Sequence, residues 1–340
     1  MFAAKVLLKD AERKRQQLLA QSMVDTNFRA HREGDFFYIP LKKKMSGCVE
    51  HTFEEKKEKN MLENELDTLL SSKEKEMLPR SQEIVGDIMI LEIPDELKKK
   101  KKKIAEIFLR ANKSVRTVVK KKNIHGGTFR TRTVEVLATD SKCRCATCLN
   151  RRKITIHRES GCRIKVHIEK MYFSARLAHE RLRIAEQVKK KERVLVMFSG
   201  CSPYVCVIAK KSGADVTGIE INKIAHEYAL ENIRMNKVKA DLYCGDVKKV
   251  LPKLKKKFNR IVMPLPKTGE EFLPIALKNT EKNGIIHYYA FLRDEEVVNY
   301  KKKIKLICTN AGKKCRIVRV VHAGQNAPYI FRMCFDVKVV

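Results

Sequence analysis

Arg176 and Glu180 stand four residues apart in ARLAHERLRIAEQV, residues 175–188. On a helix they share one face, with Arg181 and Arg183 beside them. A carboxylate held among arginines at a binding edge can serve as a general base, whereas the same residues on an open surface form an ion pair worth about 0–1 kcal/mol. Position favours the first reading, because the helix immediately precedes the apolar run RVLVMFSG and its end should overhang whatever binds there.

Four edges of this kind follow apolar runs. FSGCSP, residues 198–203, is a small-residue turn from strand into helix, where Gly200 lets backbone approach a ligand beside helix N-terminal amides. Glu220 closes VTGIE about twenty residues later, placed to accept two hydrogen bonds from ribose hydroxyls, and Asp246 in CGDV can accept from an adenine amine. The fourth edge is MPLPKT, with Pro264 and Pro266. The turn lacks the G-x-G-x-x-G pyrophosphate signature, since Gly200 is followed by Cys201, Ser202, Pro203, Tyr204 and Val205. An adenosine ligand without a pyrophosphate points to S-adenosylmethionine rather than NAD.

The elements that must carry these edges alternate strand and helix from about residue 190, which predicts a doubly wound parallel α/β sheet with ligands beyond the strands' carboxyl ends. Ahead of it HRESGCRIKVHI reads as a hairpin turning at Ser160-Gly161, and TFRTRTVEVLA as an antiparallel strand carrying Arg130 and Arg132. The expected domains are a small N-terminal α+β domain at 1–45, a charged linker at 46–80, a basic, β-rich α+β domain at 81–188 and the catalytic domain at 189–340. Six lysines, Lys98 to Lys103, open a helix as either a solvated end or a phosphate-contacting patch.

Composition narrows the partner. Across 340 residues, 73 Lys+Arg against 40 Asp+Glu leave a formal charge of +33, which calls for a polyanion, with nucleic acid first. No window approaches 18 apolar residues and no signal core is visible, so no membrane association and a cytoplasmic location are expected. Of eleven cysteines, Cys48, Cys201, Cys206, Cys308 and Cys334 sit among apolar neighbours and read as core fillers. Cys143, Cys145 and Cys148 form C-x-C-x-x-C, compatible with zinc or iron–sulfur if Cys162 or His157 adds a ligand, or with clustered thiols. The spacing falls short of paired C-x-x-C knuckles, and no metal is assigned.

REGDFFYIPL, EIVGDIMILEIPDEL, GTFRTRTVEVLA, TIHRESGCRIKVHIEKMYFSARLAHERLRIAEQV, FSGCSPY, ALENIRMNKV and IVMPLPKTGEEFL follow one another in an order that resembles the archaeal tRNA guanine-37 N1-methyltransferases over nearly the whole chain. The resemblance implies a Rossmann-like S-adenosylmethionine domain, methylation of N1 of the guanosine 3′ of the anticodon, and a small N-terminal domain touching the outer corner of the tRNA. It implies Glu180 as the base that takes the N1 proton, with Arg130 and Tyr172 at the base site. It further implies Arg181, Phe198, Gly200, Glu220, Ile221, Asp246, Val247 and Pro264 around the cofactor, and a monomeric enzyme binding the anticodon stem-loop.

Three residues depart from that family's cofactor edge: Val196 replaces an Asp, Ser202 the second Gly of the turn, and Pro264 the Asn of N-L-P-K. A proline there keeps the corner rigid but cannot donate a hydrogen bond. Alternative readings are a related wybutosine-pathway transferase, acting on 4-demethylwyosine or moving an aminocarboxypropyl group, and a tRNA-binding homologue without catalysis. L-P-K argues against aminocarboxypropyl transfer.

Overall fold

Strands form where apolar residues alternate, and turns where glycine or a short polar residue takes a positive φ. The computed structural model describes residues 1–54, 61–78, 82–122, 127, 129–140 and 146–340. Cys143 and Cys145 lie outside the described residues, as does most of the stretch around Gly126. The chain divides into two compact units, Met1–Lys75 and Glu76–Val340.

In the first unit β1 (Phe2–Leu7), α1 (Ala11–Ala20), β2 (His31–Glu33), β3 (Phe36–Pro40) and β4 (Val49–Glu50) precede the helix α2 (Met61–Leu69), and a further helix, α3 (Ser72–Met77), runs across the boundary at Lys75. The strands make an antiparallel sheet in the order β2-β3-β1-β4. Its apolar contents are thin: Ala4, Leu18, Val24, Ile39 and Leu41 form one buried cluster, Ala3, Tyr38 and Phe53 another.

The second unit begins with a four-stranded sheet, β5 (Glu83–Val85), β6 (Ile88–Leu91), β7 (Thr117–Lys121) and β8 (Val134–Thr139), in chain order. Helix α4 (Lys101–Ala111) makes the parallel crossover from β6 to β7 and buries Ile104, Ala105, Ile107 and Phe108. Of the six lysines, Lys101 is paired with Glu135 at 2.7 Å. β8 starts only at Val134, so Arg130 and Arg132 precede the strand instead of riding on it. Arg130 has φ +50°, which breaks the extended run, and Arg132 turns inward to donate to Glu83 at 2.9 Å because a buried guanidinium needs a carboxylate.

After α5 (Ala146–Arg151) comes the hairpin β9 (Ile154–Glu159) and β10 (Cys162–His167). Its turn residues Ser160 and Gly161 have φ +46° and +76°, the two successive positive values that a tight hairpin turn requires. Cys162 packs into the apolar core, where burial pushes its thiol pKa up. His157 accepts from the Gly86 amide.

Helix α6 (Ala178–Gln187) leads into the large sheet. Its strands are β11 (Arg193–Met197), β12 (Asp215–Glu220), β13 (Asp241–Cys244), β14 (Phe258–Met263), β15 (Thr280–Leu292), β16 (Cys315–Ala327) and β17 (Ile330–Val339). Interleaved are α7 (Pro203–Ser212), α8 (Lys223–Asn236), α9 (Val247–Val250), α10 (Leu273–Lys278) and α11 (Val297–Asn310). The order is β13-β12-β11-β14-β15-β17-β16, with β11 to β15 parallel and β17 antiparallel to both neighbours. Strand order reverses at β11 and β14, which leaves a crevice above their carboxyl ends. Val194 and Val196 pack into the core on one face and Leu195 and Met197 on the other, as a strand covered on both sides must.

The hairpin is fastened to this sheet by side-chain amides. On α8, Asn236 accepts from the Arg163 amide at 2.8 Å and donates to its carbonyl at 2.7 Å. Asn232 does the same for Lys165, at 2.7 and 3.1 Å, and donates to the Cys201 carbonyl at 2.9 Å. Four residues of helix rise about 6 Å and two residues of strand about 6.6 Å, so the two asparagines match alternate residues of β10. Asn232→Ala should strand a buried amide and two carbonyls, and urea unfolding should show a loss of about 3 kcal/mol or more.

Candidate active site

The crevice opens into a cavity of about 640 Å³ lined by residues from the carboxyl ends of β11, β12, β13 and β14 and from the segments before β8 and α6. The turn after β11 shapes its floor. Phe198, Gly200 and Ser202 take φ of +56°, +58° and +64°, so the chain doubles back and α7 starts at the cavity edge. Ser202 is wholly buried, and among the described residues its hydroxyl has no hydrogen-bond partner.

Glu220 fixes the turn from the next strand. Its Oε2 accepts from the Gly200 amide at 2.6 Å and its Oε1 from the Asn222 amide at 2.7 Å. The amides of Gly200, Asn222 and Ile221 leave part of the carboxylate's acceptor capacity unused, and the residue borders the cavity, so ribose hydroxyls fit there. Burial raises the Glu220 pKa above the ordinary carboxylate value, against the lowering pull of the amides. Asp246 caps α9 by accepting from the Lys248 amide at 2.9 Å with one oxygen. Gly200, Glu220, Ile221, Asp246, Val247, Phe198 and Pro264 all line the cavity. At the fourth edge the Leu265 amide donates to the Met263 carbonyl at 2.7 Å, a tight turn centred on Pro264. Neither proline has an amide to satisfy there.

The other end of the cavity is aromatic and cationic. The Arg130 guanidinium lies 4.7 Å from the Tyr172 ring centre, and Arg332 donates to the Tyr172 hydroxyl at 3.0 Å. Burial, with a smaller contribution from Arg332, lowers the Arg130 pKa. Phe129 stands 48% exposed at the rim, a partner that attention to its neighbour Arg130 overlooked. Arg181 lines the cavity while its guanidinium grips Glu159 with two bonds of 2.5 Å. Burial alone would raise the Glu159 pKa, but the hydrogen bonds from His157 and Arg181 hold it low. Glu159 belongs to the quoted HRES run, yet nothing local in the sequence marks it as the partner of Arg181.

Glu180 is 4% exposed and is not among the cavity-lining residues. Its partner is Arg183, at 2.7 and 2.8 Å, and not Arg176, which is exposed. The i,i+4 register fails because Ala175–Leu177 form a 3-10 turn before α6 begins. From Arg183 the pairing continues to Asp336 at 3.1 Å, His287 at 2.6 Å, Arg260 at 2.7 Å and Glu192 at 2.9 Å. Burial lowers the His287 pKa, so the ring is neutral, donating from Nδ1 to Asp336 and accepting from Arg260 at Nε2. Cys334 accepts from Arg183 at 3.2 Å, which makes it a polar participant as well as a core residue.

Glu180 reaches the cavity through hydroxyls. Tyr289 donates to its Oε1 at 2.5 Å, and the Tyr204 hydroxyl lies 3.2 Å from that of Tyr289. Because Tyr289 spends its proton on Glu180, Tyr204 must donate to Tyr289, leaving a lone pair on Tyr204 to accept. Burial pushes both phenol pKa values up, so both stay protonated. Tyr204 lines the cavity.

Comparison with known proteins shows the family of the chain. Residues 155–321 match the TRM5/TYW2 methyltransferase domain, residues 62–141 the TYW2 N-terminal domain and residues 3–50 the tRNA methyltransferase 5 N-terminal domain. The chain is 32% identical to the tRNA (guanine(37)-N(1))-methyltransferase Trm5b of Pyrococcus abyssi over 99% of each chain. It superposes on aTrm5 in complex with tRNALeu with a TM-score of 0.69 at 27% identity, covering 100% of both chains. On Methanocaldococcus jannaschii Trm5 in complex with adenosine the TM-score is 0.65 at 27% identity, covering 100% of this chain and 99% of the other. The chain belongs to the TRM5/TYW2 methyltransferase family.

Two outcomes are expected at the floor of the cavity. Ser202→Gly should raise stability by about 1 kcal/mol, since glycine accepts the left-handed φ and removes a buried hydroxyl; thermal unfolding reads it. A carboxyl with a raised pKa holds a proton that a hydroxyl donor cannot use. Adenosine affinity should therefore increase as pH rises through the range just above the ordinary carboxylate pKa, then level off. Calorimetric titration should find that slope missing in Glu220→Gln.

Proposed function

We propose that this member of the TRM5/TYW2 family transfers the methyl group of S-adenosylmethionine to N1 of guanosine 37, beside the anticodon of tRNA. The observation that carries the proposal is one cavity with two unlike ends, in a chain alignable from end to end with a Trm5b. When bound, S-adenosylmethionine supplies a methyl group made electrophilic by its sulfonium.

The chain's own residues do the rest. Glu220 takes the ribose hydroxyls on its unshared lone pairs and Asp246 the adenine amine, while Phe198, Gly200, Ile221, Val247 and Pro264 enclose the nucleoside. Phe129, Arg130 and Tyr172 offer a stacking and hydrogen-bonding site to a guanine that has left its stack. Arg181, locked to Glu159, holds the wall between the two ends. The charge of +33 suits the polyanion, and in this proposal the small N-terminal domain at 1–45 touches the outer corner of the tRNA.

Guanine N1 carries a proton that must leave before its lone pair can attack. In this proposal Glu180 receives it by way of two hydroxyls: N1–H to Tyr204, the Tyr204 proton to Tyr289, and the Tyr289 proton to Glu180. Each oxygen gains one proton and gives one up, and the charge that appears on N1 disappears from Glu180. The two bonds from Arg183 hold the carboxylate in position to receive it.

The test is incubation with methyl-labelled S-adenosylmethionine and an unmodified tRNA transcript bearing G37, followed by nuclease mapping. Label in N1-methylguanosine at position 37 is expected; its absence contradicts the proposal. Glu180→Gln should slow single-turnover methylation by about 100-fold or more with cofactor affinity kept. Tyr289→Phe should slow it through the same step, and unchanged rates in Tyr289→Phe would eliminate the hydroxyl route.

A further inference from the structure

The first unit carries a group of side chains that methyl transfer does not use. His31 and Glu33 alternate on β2, so both project from one face of the sheet. Beyond β4 at the opposite edge, His51 is fixed by exchange of two hydrogen bonds with Met1, at 2.8 and 3.0 Å. Its imidazole stacks on Tyr38 with ring centres 4.0 Å apart and planes 10° from parallel. That stacking brings its Nε2 to 3.0 Å from the Nε2 of His31. The ligand atoms of His31, Glu33 and His51 all lie within 4.8 Å of one another.

We propose that His31, Glu33 and His51 bind a divalent transition-metal ion of the zinc class. Two imidazole nitrogens and a carboxylate are a donor set that zinc takes, with a fourth position left for water. Without an ion the two ring nitrogens share a hydrogen bond at 3.0 Å, and a separation larger by a few tenths of an ångström, about 3.3 Å, would let both reach one tetrahedral ion. Among the described residues Glu33 has no ion pair that would compete. Lys5, opposite Tyr38 on the neighbouring strand, holds its ammonium over the Phe36 ring at 4.2 Å. The buried group of His287, Cys334 and Asp336 offers a contrast, because Arg183 and Arg260 already occupy its acceptors.

The ion has structural work available. A sheet whose two buried clusters comprise five and three residues is thinly cored, and small units of that kind are commonly stapled by a metal. Here the staple would join the β2 edge to the segment after β4, across the width of the sheet.

The experiment is calorimetric titration of the full chain with zinc chloride near neutral pH, with thermal unfolding in parallel, on the wild type, His31→Gln and Glu33→Gln. Glu33 is exposed, so its variant keeps the fold and reads ligand loss alone. The wild type should bind zinc with a rise in melting temperature, and each variant should weaken binding by about tenfold or more, since even outer-shell changes cost that much. Cobalt should give the visible spectrum of nitrogen and oxygen ligation. Absence of zinc binding overturns the proposal. So does binding unchanged in both variants, or a cobalt spectrum dominated by thiolate bands, which would put the ion on cysteines.

Discussion

Everything around the cavity depends on one requirement, that a charge taken out of water must meet its opposite. Glu180, Arg183, Asp336, Arg260 and Glu192 alternate in sign through the interior, with neutral His287 set between Asp336 and Arg260. The row ties α6 to β14, β15 and β17 and ends just before β11, so the helix that carries Glu180 is positioned by the sheet itself. Removing one member leaves its neighbour charged and unpaired, which is far costlier than the pair is worth. Such a row confers little stability relative to apolar packing, yet it admits few alternative arrangements. The hypothesis for this chain is that it holds register: α6 cannot slide by one residue without breaking several pairs together.

The same requirement explains the two ends of the cavity. At the end bordered by Gly200 and Asn222, Glu220 is held by amides alone, and burial leaves its pKa raised. At the other end Glu159 meets a guanidinium and stays ionised. Two glutamates close to one cavity thus differ in proton affinity because one faces dipoles and the other a full charge. The first suits a ligand that brings hydroxyls; the second is committed to holding Arg181.

Much of this was legible from sequence, and the reasons are physical. Gly200, Glu220, Asp246 and Pro264 each follow an apolar run, and in a parallel sheet the ends of such runs converge on one crevice. The Ser160-Gly161 turn was legible because few residue pairs tolerate two positive φ values. The Arg176–Glu180 pairing was not, because helical spacing holds only inside a helix and α6 begins after Arg176. Nor were the contacts of Glu180 with Tyr289, 109 residues away, or the meeting of His31 with His51 from opposite edges of a sheet. Periodicity reports which face a residue takes; it carries no information about which distant residue faces it. Cys334 was assigned by its apolar neighbours in sequence, whereas its neighbours in space include a guanidinium and a carboxylate.

Asn232 and Asn236 have one more implication. A two-stranded ribbon such as β9 and β10 ordinarily exposes two open rims, each able to recruit a strand from another molecule. Here one rim is occupied by helical side chains that imitate a third strand, and the other meets the loop at Gly86 and Asp87 through His157 and Thr155. The ribbon is sealed without a third strand. This sealing is a safeguard against self-templated association. It depends on two amide groups one helical turn apart.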